Sequence, residues 1–482
     1  MKILHYLFGL PPVRGGGLPK YAIDLMLEQK SVGQDVCMLV PGPIKRSRTE
    51  VCIKEWKKYE GILCYRIINP IYIPNAEGIN RPKEFMPKSS VTMYLEWLKK
   101  TKPDVVHVHS LLGIHFEFFE AAKQLGIPML YTTHDYFGLC PKIDYLRGQE
   151  NCTNIDWANC SRCCENAYSL NRLKLEQADI YRKYCESKWL MNFVHGAAVK
   201  CLRQKLRHIL GKTASDGQNA KCEERQENQA ACVQGMKIQK NESDLALQQE
   251  YRQLQEYYIK IFNMLDYFHF NSNQTRKVYE QVLGKKSGQI IPVMNRGISD
   301  RRVEKSYSGE LRIGYVGTQS PVKGYDYLIS ELDCVYESGR KEFRLNTYLI
   351  ENKYERSYIR NHKPFTAEQQ AQVYGAMDVL VVPSLWRETF GMVVLEALSY
   401  GVPVLVSEYV GAKMLLGPAG ECGLFFWCEN GELGSLIKKI YDDRDILMKM
   451  NQCIMEAELP LDYVEHVARI GALYDSIKTV KC

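Results

Sequence analysis

At 482 residues the chain exceeds the roughly 250–300 residues at which one hydrophobic core stops growing, so two domains are expected. A hydrophobic fraction of 45% and a charged fraction of 25% exclude wholesale disorder, a collagen-like repeat and a multispanning membrane protein. The net charge of +7 is modest for this length and gives nucleic-acid binding little support, so no nucleic-acid partner is expected.

The opening MKILHYLFGL carries one lysine and a short apolar run, but Pro11, Pro12 and Arg14 stand where a signal peptide needs small residues. It reads as a first strand, Lys2 to Leu7. Gly15 to Gly17 break it, a helix carrying Tyr21, Leu25 and Glu28 follows, and Val36 to Val40 is a second strand. Further buried-strand runs at Val105 to Val108, Met129 to Thr132, Phe268 to Phe270 and Ile290 to Val293 alternate with helical segments. That alternation specifies an α/β fold with a parallel sheet covered on both faces.

Between Gly138 and about Asp266 the rhythm is lost, which marks an insertion over about 140–266. Within it, 211–244 is rich in Gln, Asn, Glu and Lys and reads as solvated or mobile, whereas Gln248 to Met264 regains helical spacing. The βα rhythm restarts at Leu311 with LRIGYVG, then a helix from Tyr325 and strands at Leu345 to Ile350, Asp378 to Pro383 and Val402 to Val406. The polar stretch Asn295 to Glu310 is the expected boundary: domains at 1–294 and 295–462, then a helix from Tyr463 within 463–482.

No stretch reaches the ~18 apolar residues of a spanning helix, and seventeen scattered cysteines, an odd number, read as reduced thiols. A cytoplasmic protein is expected. Cys140, Cys152, Cys160 and Cys163 supply enough ligands for a structural zinc, against the alternative of free thiols in an irregular loop. From Phe193 to Lys212, Leu202, Leu206, Ile209 and Leu210 recur with basic residues between them. Such a helix either packs on its own domain or lies on an anionic membrane at the inner face of the plasma membrane.

The most informative stretch is WRETFGMVVLEALSYGVPVLVSEYVG, Trp386 to Gly411. If Gly391 opens a helix, Glu396 falls in its second turn while Glu388 stays in the preceding loop, so both carboxylates can face one site. Amides around Gly391, Met392 and Val393 would then point at an anion. Upstream, GTQSPVKG sets Lys323 and Gly324 after a strand, where an ammonium can neutralise a diphosphate. Gly15, Gly16 and Gly17 do not complete a dinucleotide fingerprint, because Lys20 stands at the third glycine position and no acidic residue closes the second strand. A nicotinamide enzyme is disfavoured.

Glu388, Phe390, Gly391, Glu396, Ala397, Gly401, Pro403 and Val404 together resemble the signature of glycosyltransferase family 4, retaining enzymes of the GT-B architecture. The resemblance implies two Rossmann-like domains facing a cleft, an N-terminal acceptor side, a C-terminal nucleotide-sugar side, and a last helix crossing back to the first domain. It implies that Glu388 contacts the donor sugar hydroxyls and that Glu396 holds the nucleotide ribose. Gly16 and Gly17 then approach the donor phosphates, and His134 lies nearest the reacting sugar with His109 and Asp135 close by. Asn295 belongs to a loosened form of a family segment. Phe390, Gly391, Met392 and Val393 complete the donor loop with Gly317 and Thr318. Thr318 departs from the arginine common at that position, so Lys323, or Arg296 or Arg387, must carry more of the diphosphate charge.

The function implied is retaining transfer of a sugar from a nucleoside-diphosphate sugar to a hydroxyl of a glycan, glycolipid or polyprenyl-linked acceptor, in polysaccharide synthesis, with no cofactor required for catalysis. The catalytic set is His134, Glu388 and Lys323. Two alternatives stand beside it: a GT-B-like sugar-nucleotide epimerase or phosphorylase, and a non-catalytic nucleotide-sugar-binding regulator.

Overall fold

The computed structural model describes residues 1–45, 50–148, 150–152, 157–186 and 229–479. Residues 193–212, where the sequence suggests a basic amphipathic helix, lie outside the described residues. The first series of strands comprises β1 (Lys2–Tyr6), β2 (Asp35–Pro41), β3 (Cys52–Tyr59), β4 (Ile62–Ile68), β5 (Val105–Val108) and β6 (Met129–Thr132). After a short hairpin of β7 (Leu146–Arg147) and β8 (Glu150–Asn151) it ends with β9 (Tyr267–Phe270) and β10 (Gly288–Ile290). Eight of these form one sheet in the order β10-β9-β6-β5-β1-β2-β4-β3, parallel except where β3 runs against β4.

Every residue of β5 and β6 is buried, as in strands covered by helices on both faces. The β3–β4 hairpin is an addition to the sequence expectation. Edge strand β3 carries Lys54, Lys57 and Lys58, which hide its strand pattern and discourage pairing with another chain. The run read as a strand at Ile290 to Val293 pairs only through Ile290. Ile291 donates the last amide bond to Phe270, and Pro292 has no N–H with which to continue.

Apart from the β7–β8 hairpin, the regular structure of the insertion is helical among the described residues. Helix Gln229–Met264 takes in 229–244, part of the segment read as solvated, and continues through the expected helical stretch. Tyr251, Leu254, Tyr258, Ile261 and Phe262 recur at helical spacing and are buried. The last four of these join the core beneath β6 and β9.

The second sheet comprises β11 (Leu311–Tyr315), β12 (Phe343–Thr347), β13 (Ile359–Asn361), β14 (Val379–Val382), β15 (Val404–Ser407) and β16 (Gly423–Phe426). All are parallel, in the order β13-β12-β11-β14-β15-β16. Two Rossmann-like sheets in this arrangement make the GT-B α/β fold. Each sheet reverses its strand order beside its first strand, at β1/β5 and at β11/β14, and ligands in open α/β sheets bind beyond the carboxyl ends of strands at such points.

Helix Tyr463–Thr479 returns to the first sheet. Val467, Ile470, Leu473, Tyr474 and Ile477 are buried in a cluster that includes Ile3, Tyr21, Leu25, Val105 and Leu130. Fully burying one such aliphatic side chain is worth about 1.5–3 kcal/mol, so this helix fastens the end of the chain to its beginning.

Candidate active site

The loops that leave β11 and β14 define one wall of the cleft. After Tyr315 the chain turns through Gly317 and Thr318 to Lys323, whose side chain reaches the loop after β14. There its Nζ lies 2.5 Å from Oε1 of Glu388. Ser384 Oγ donates to the other carboxylate oxygen at 2.6 Å. Gly324 is required for this approach: its φ is +69°, and a Cβ there would stand 1.8 Å from the carbonyl oxygen of Pro383. Trp386 packs beside Lys323, with the ammonium 5.7 Å from its ring centroid.

Gly391, at φ +98°, opens the short helix Met392–Leu398 and turns the chain sharply after Glu388. Glu396 lies in the second turn. Its Oε2 accepts from Tyr374 Oη at 2.7 Å and its Oε1 from Asn295 Nδ2 at 3.4 Å. Burial raises the Glu396 carboxyl above its ordinary range, opposed by Tyr374, Lys20 and Asn295.

The opposite wall comes from the first sheet. Gly16 and Gly17 open helix Gly17–Ser31, and His134 follows β6. A cavity of about 350 Å³ is lined by Gly17, Tyr21 and His134 on this side and by Gly317, Lys323, Glu388, Phe390, Gly391, Met392 and Val393 on the other. A second cavity of about 580 Å³ is lined by Gly16, Gly17, Lys20, Asn295, Met392 and Glu396. The two share Gly17 and Met392. Glu388 and Glu396 therefore face adjoining halves of one cleft.

The walls touch directly. Thr389 Oγ1 donates to the backbone oxygen of His134 at 3.0 Å, Ser272 Oγ to the oxygen of Thr389 at 2.6 Å, and Gln274 Nε2 to the oxygen of Glu388 at 3.1 Å. Thr318 contributes its backbone oxygen to Tyr315 Oη at 2.6 Å, so it supplies no charge. Nor do the two arginines considered as substitutes line either cavity. Arg296 lies 3.5 Å from Glu28, and Arg387 donates to the backbone of Cys152 in the insertion. Lys323 and Lys20 are the cations lining these cavities.

Behind His134 lies a group of imidazoles. His134 Nε2 is 3.3 Å from Nδ1 of His109, and His109 Nε2 is 3.0 Å from Nδ1 of His5. Burial lowers His134 and His5 to about 3 and His109 well below its ordinary value, so all three are neutral near pH 7. His134 can thus exchange hydrogen bonds with a ligand but offers it no positive charge. Asp135 is pushed up to about 6 by burial, while its Oδ1 accepts from the amide of Phe137 at 2.9 Å.

Two groups of potential metal ligands differ in how closely they gather. Among the described residues, Cys140, Cys152, Cys160 and Cys163 do not bring three ligand atoms within 4.8 Å of one another, the separation a shared ion needs. The group that does is His5, His107 and His109. All six of its ring nitrogens are already engaged in hydrogen bonds to protein partners. Also among the described residues, no helix is long and apolar enough to cross a membrane.

Ser384, Tyr374 and Lys20 are site residues that sequence reasoning missed. Ser384 carries a weak signal, directly after a buried strand and four residues before Glu388, whereas Tyr374 reaches Glu396 only through the tertiary fold.

Residues 15–157 match the family Glycosyltransferase Family 4, and residues 310–443 match the family Glycosyl transferases group 1. The chain is 29% identical over 125 residues to a D-inositol 3-phosphate glycosyltransferase of Corynebacterium efficiens, covering 26% of this chain and 29% of that protein. It is 27% identical over 179 residues to an uncharacterized 41.2 kDa protein in the cps region of Klebsiella pneumoniae, covering 36% and 47%. The matched stretches thus span less than half the length of these relatives. Sucrose-phosphate synthase of Thermosynechococcus elongatus superposes with a TM-score of 0.52 at 14% identity, over 99% of both chains. HepE of Anabaena in complex with UDP gives 0.54 at 13%, over 99% of this chain and 100% of that one. At such identities the likeness is one of fold.

Proposed function

The chain belongs to glycosyltransferase family 4, and we propose that it transfers a sugar from a nucleoside diphosphate to a hydroxyl of a glycan or lipid-linked acceptor, with retention of anomeric configuration. In this reading residues 1–294 form the acceptor side, residues 295–462 the nucleotide-sugar side, and the last helix fastens the two. The observation that carries it is the convergence of Lys323, Ser384 and Glu388 on one cavity wall opposite His134, with Glu396 in the adjoining cavity.

Each residue has work that its chemistry allows. An ammonium has three N–H groups, so Lys323 can keep Glu388 and still donate to diphosphate oxygens as charge develops on them. Glu388, anchored by Lys323 and Ser384, retains lone pairs for sugar hydroxyls. Glu396, oriented by Tyr374 and Asn295, faces a cavity suited to the two hydroxyls of a ribose. Amides at Gly391, Met392 and Val393 add partial positive charge beside Lys323, which matters because Thr318 and neutral His134 supply none. Polysaccharide synthesis at the inner face of a membrane fits a chain similar to a protein of the Klebsiella pneumoniae cps region and belongs to the same proposal.

Incubating the protein with radiolabelled UDP-, GDP- and ADP-sugars, with and without a lipid extract, tests the reading. Label moving into an acceptor with the donor's anomeric configuration supports it. Label recovered only as an epimer or a sugar phosphate overturns it in favour of an epimerase or phosphorylase.

A further inference from the structure

The buried histidines form one continuous chain of hydrogen bonds whose direction is fixed by its far end. Nε2 of His269 lies 2.8 Å from the backbone oxygen of Ile291, which can only accept. A neutral His269 must therefore carry its proton on Nε2 and leave Nδ1 bare. Thr132 Oγ1, 3.0 Å from that bare nitrogen, spends its one proton there and accepts from His107 Nε2 at 2.7 Å. Nδ1 of His107, now bare, takes the hydroxyl proton of Tyr474 at 2.8 Å. The Tyr474 oxygen then accepts from the amide nitrogen of Gln29 at 2.9 Å. This turns the Gln29 carbonyl oxygen toward His5, which donates to it from Nε2 at 2.8 Å. By the same logic His5 accepts from His109 and His109 from His134, ending at the cleft.

Neutrality, on which each step depends, follows from the surroundings. His5, His107, His109 and His269 are fully buried against one another, and burial lowers the affinity of each for a second proton. All five histidines are thereby Nε2–H tautomers. The last of them, His134, is a lining residue of the cavity, and with its Nε2 proton committed to His109 its Nδ1 is left unprotonated.

We infer that Tyr474, on the C-terminal helix, acts through Gln29, His5 and His109 as a positioning residue that fixes His134 as a hydrogen-bond acceptor at Nδ1. The cleft wall at His134 then takes a ligand hydroxyl and turns away phosphate oxygens, which can only accept. Together with Lys323 on the opposite wall, this sets which end of a nucleotide sugar lies where. That consequence rests on the proposed function; the tautomer chain itself does not.

The test reads tautomers directly. Protein labelled with 15N-histidine gives separate signals for protonated and bare ring nitrogens, and His134→Asn assigns the signal of His134. The native protein is expected to show His134 with Nε2 protonated. In Gln29→Met, His5 loses its acceptor, so His5, His109 and His134 should switch together to the Nδ1–H form while His107 and His269 stay unchanged. A residue with only a packing role would not switch a histidine three hydrogen bonds away. In Tyr474→Phe the Gln29 amide is no longer held, and His134 should populate both tautomers; this variant decides the matter if Gln29→Met does not fold. Donor KM should rise about tenfold in Gln29→Met, with kcat less affected.

A native His134 protonated at Nδ1, or one still Nε2–H in the folded variants, overturns the inference. The expected switching without any transferase activity would leave the inference standing and sink the proposed function instead.

Discussion

Thr389 Oγ1 donates to the backbone oxygen of His134 at 3.0 Å, joining the loop that carries Glu388 to the strand end that carries His134. The two lobes therefore meet beside the cleft, and this bond is one of several that hold its walls together. Thr389→Val keeps the shape and removes the donor. It should cost about 1 kcal/mol at that contact and raise donor KM severalfold with a smaller change in kcat, as read by steady-state kinetics.

Lys323, in the loop after β11, is the cation paired with Glu388, and Arg296 and Arg387 are committed elsewhere. Lys323→Ala should lower kcat by about a hundredfold or more, the scale of losing one preorganised charge donor. Lys323→Arg should recover only part of this, because the guanidinium fork does not fit a point contact beside Ser384 and Glu388. Donor-dependent single-turnover rates decide it.

Gly391 holds φ +98°, and a Cβ there would lie 2.9 Å from Cγ1 of Val410. Gly391→Ala should destabilise the protein by about 1–3 kcal/mol, measured by urea denaturation, and should also lower activity by displacing Glu388. A Gly15→Ala control meets nothing within 4 Å and should leave stability nearly unchanged.

Acid should unfold the protein early. Burial lowers His5, His134 and His466 to about 3 and His269 to about 4, below their unfolded value near 6.5. Between these limits the unfolded chain binds more protons, so stability falls as pH drops from 6.5, by up to about 1.4 kcal/mol per pH unit for each histidine. Asp135, raised to about 6, and Glu396 and Asp144, also raised by burial, act in the opposite direction, but the buried histidines outnumber them. Urea midpoints from pH 7 to 5 should decline steadily; a flat profile contradicts buried neutral histidines.

The strands of both sheets were legible where they are continuous apolar runs, as at Val105–Val108 and Met129–Thr132, because a strand buried on both faces has no polar positions. The β3–β4 hairpin was not, since the lysines of an edge strand look like a loop. At the site, Glu388, Gly391 and Glu396 were readable because local backbone geometry dictates their spacing. Ser384, Tyr374 and the histidine chain were not: Tyr474 and His107 are 367 residues apart, and His5 reads simply as part of an apolar strand. The basic segment 193–212 remains an expectation from sequence.

The most direct measurement is thermal unfolding with UDP, GDP and ADP, on the native protein and on Glu396→Ala. One of the three should stabilise the native protein, by about 2.7 kcal/mol at a hundred times its dissociation constant, and that stabilisation should vanish in Glu396→Ala, measured against the variant's own ligand-free midpoint. If none of the three shifts the transition, or if Glu396→Ala responds as the native protein does, the cleft is not a nucleoside-diphosphate site and the account fails.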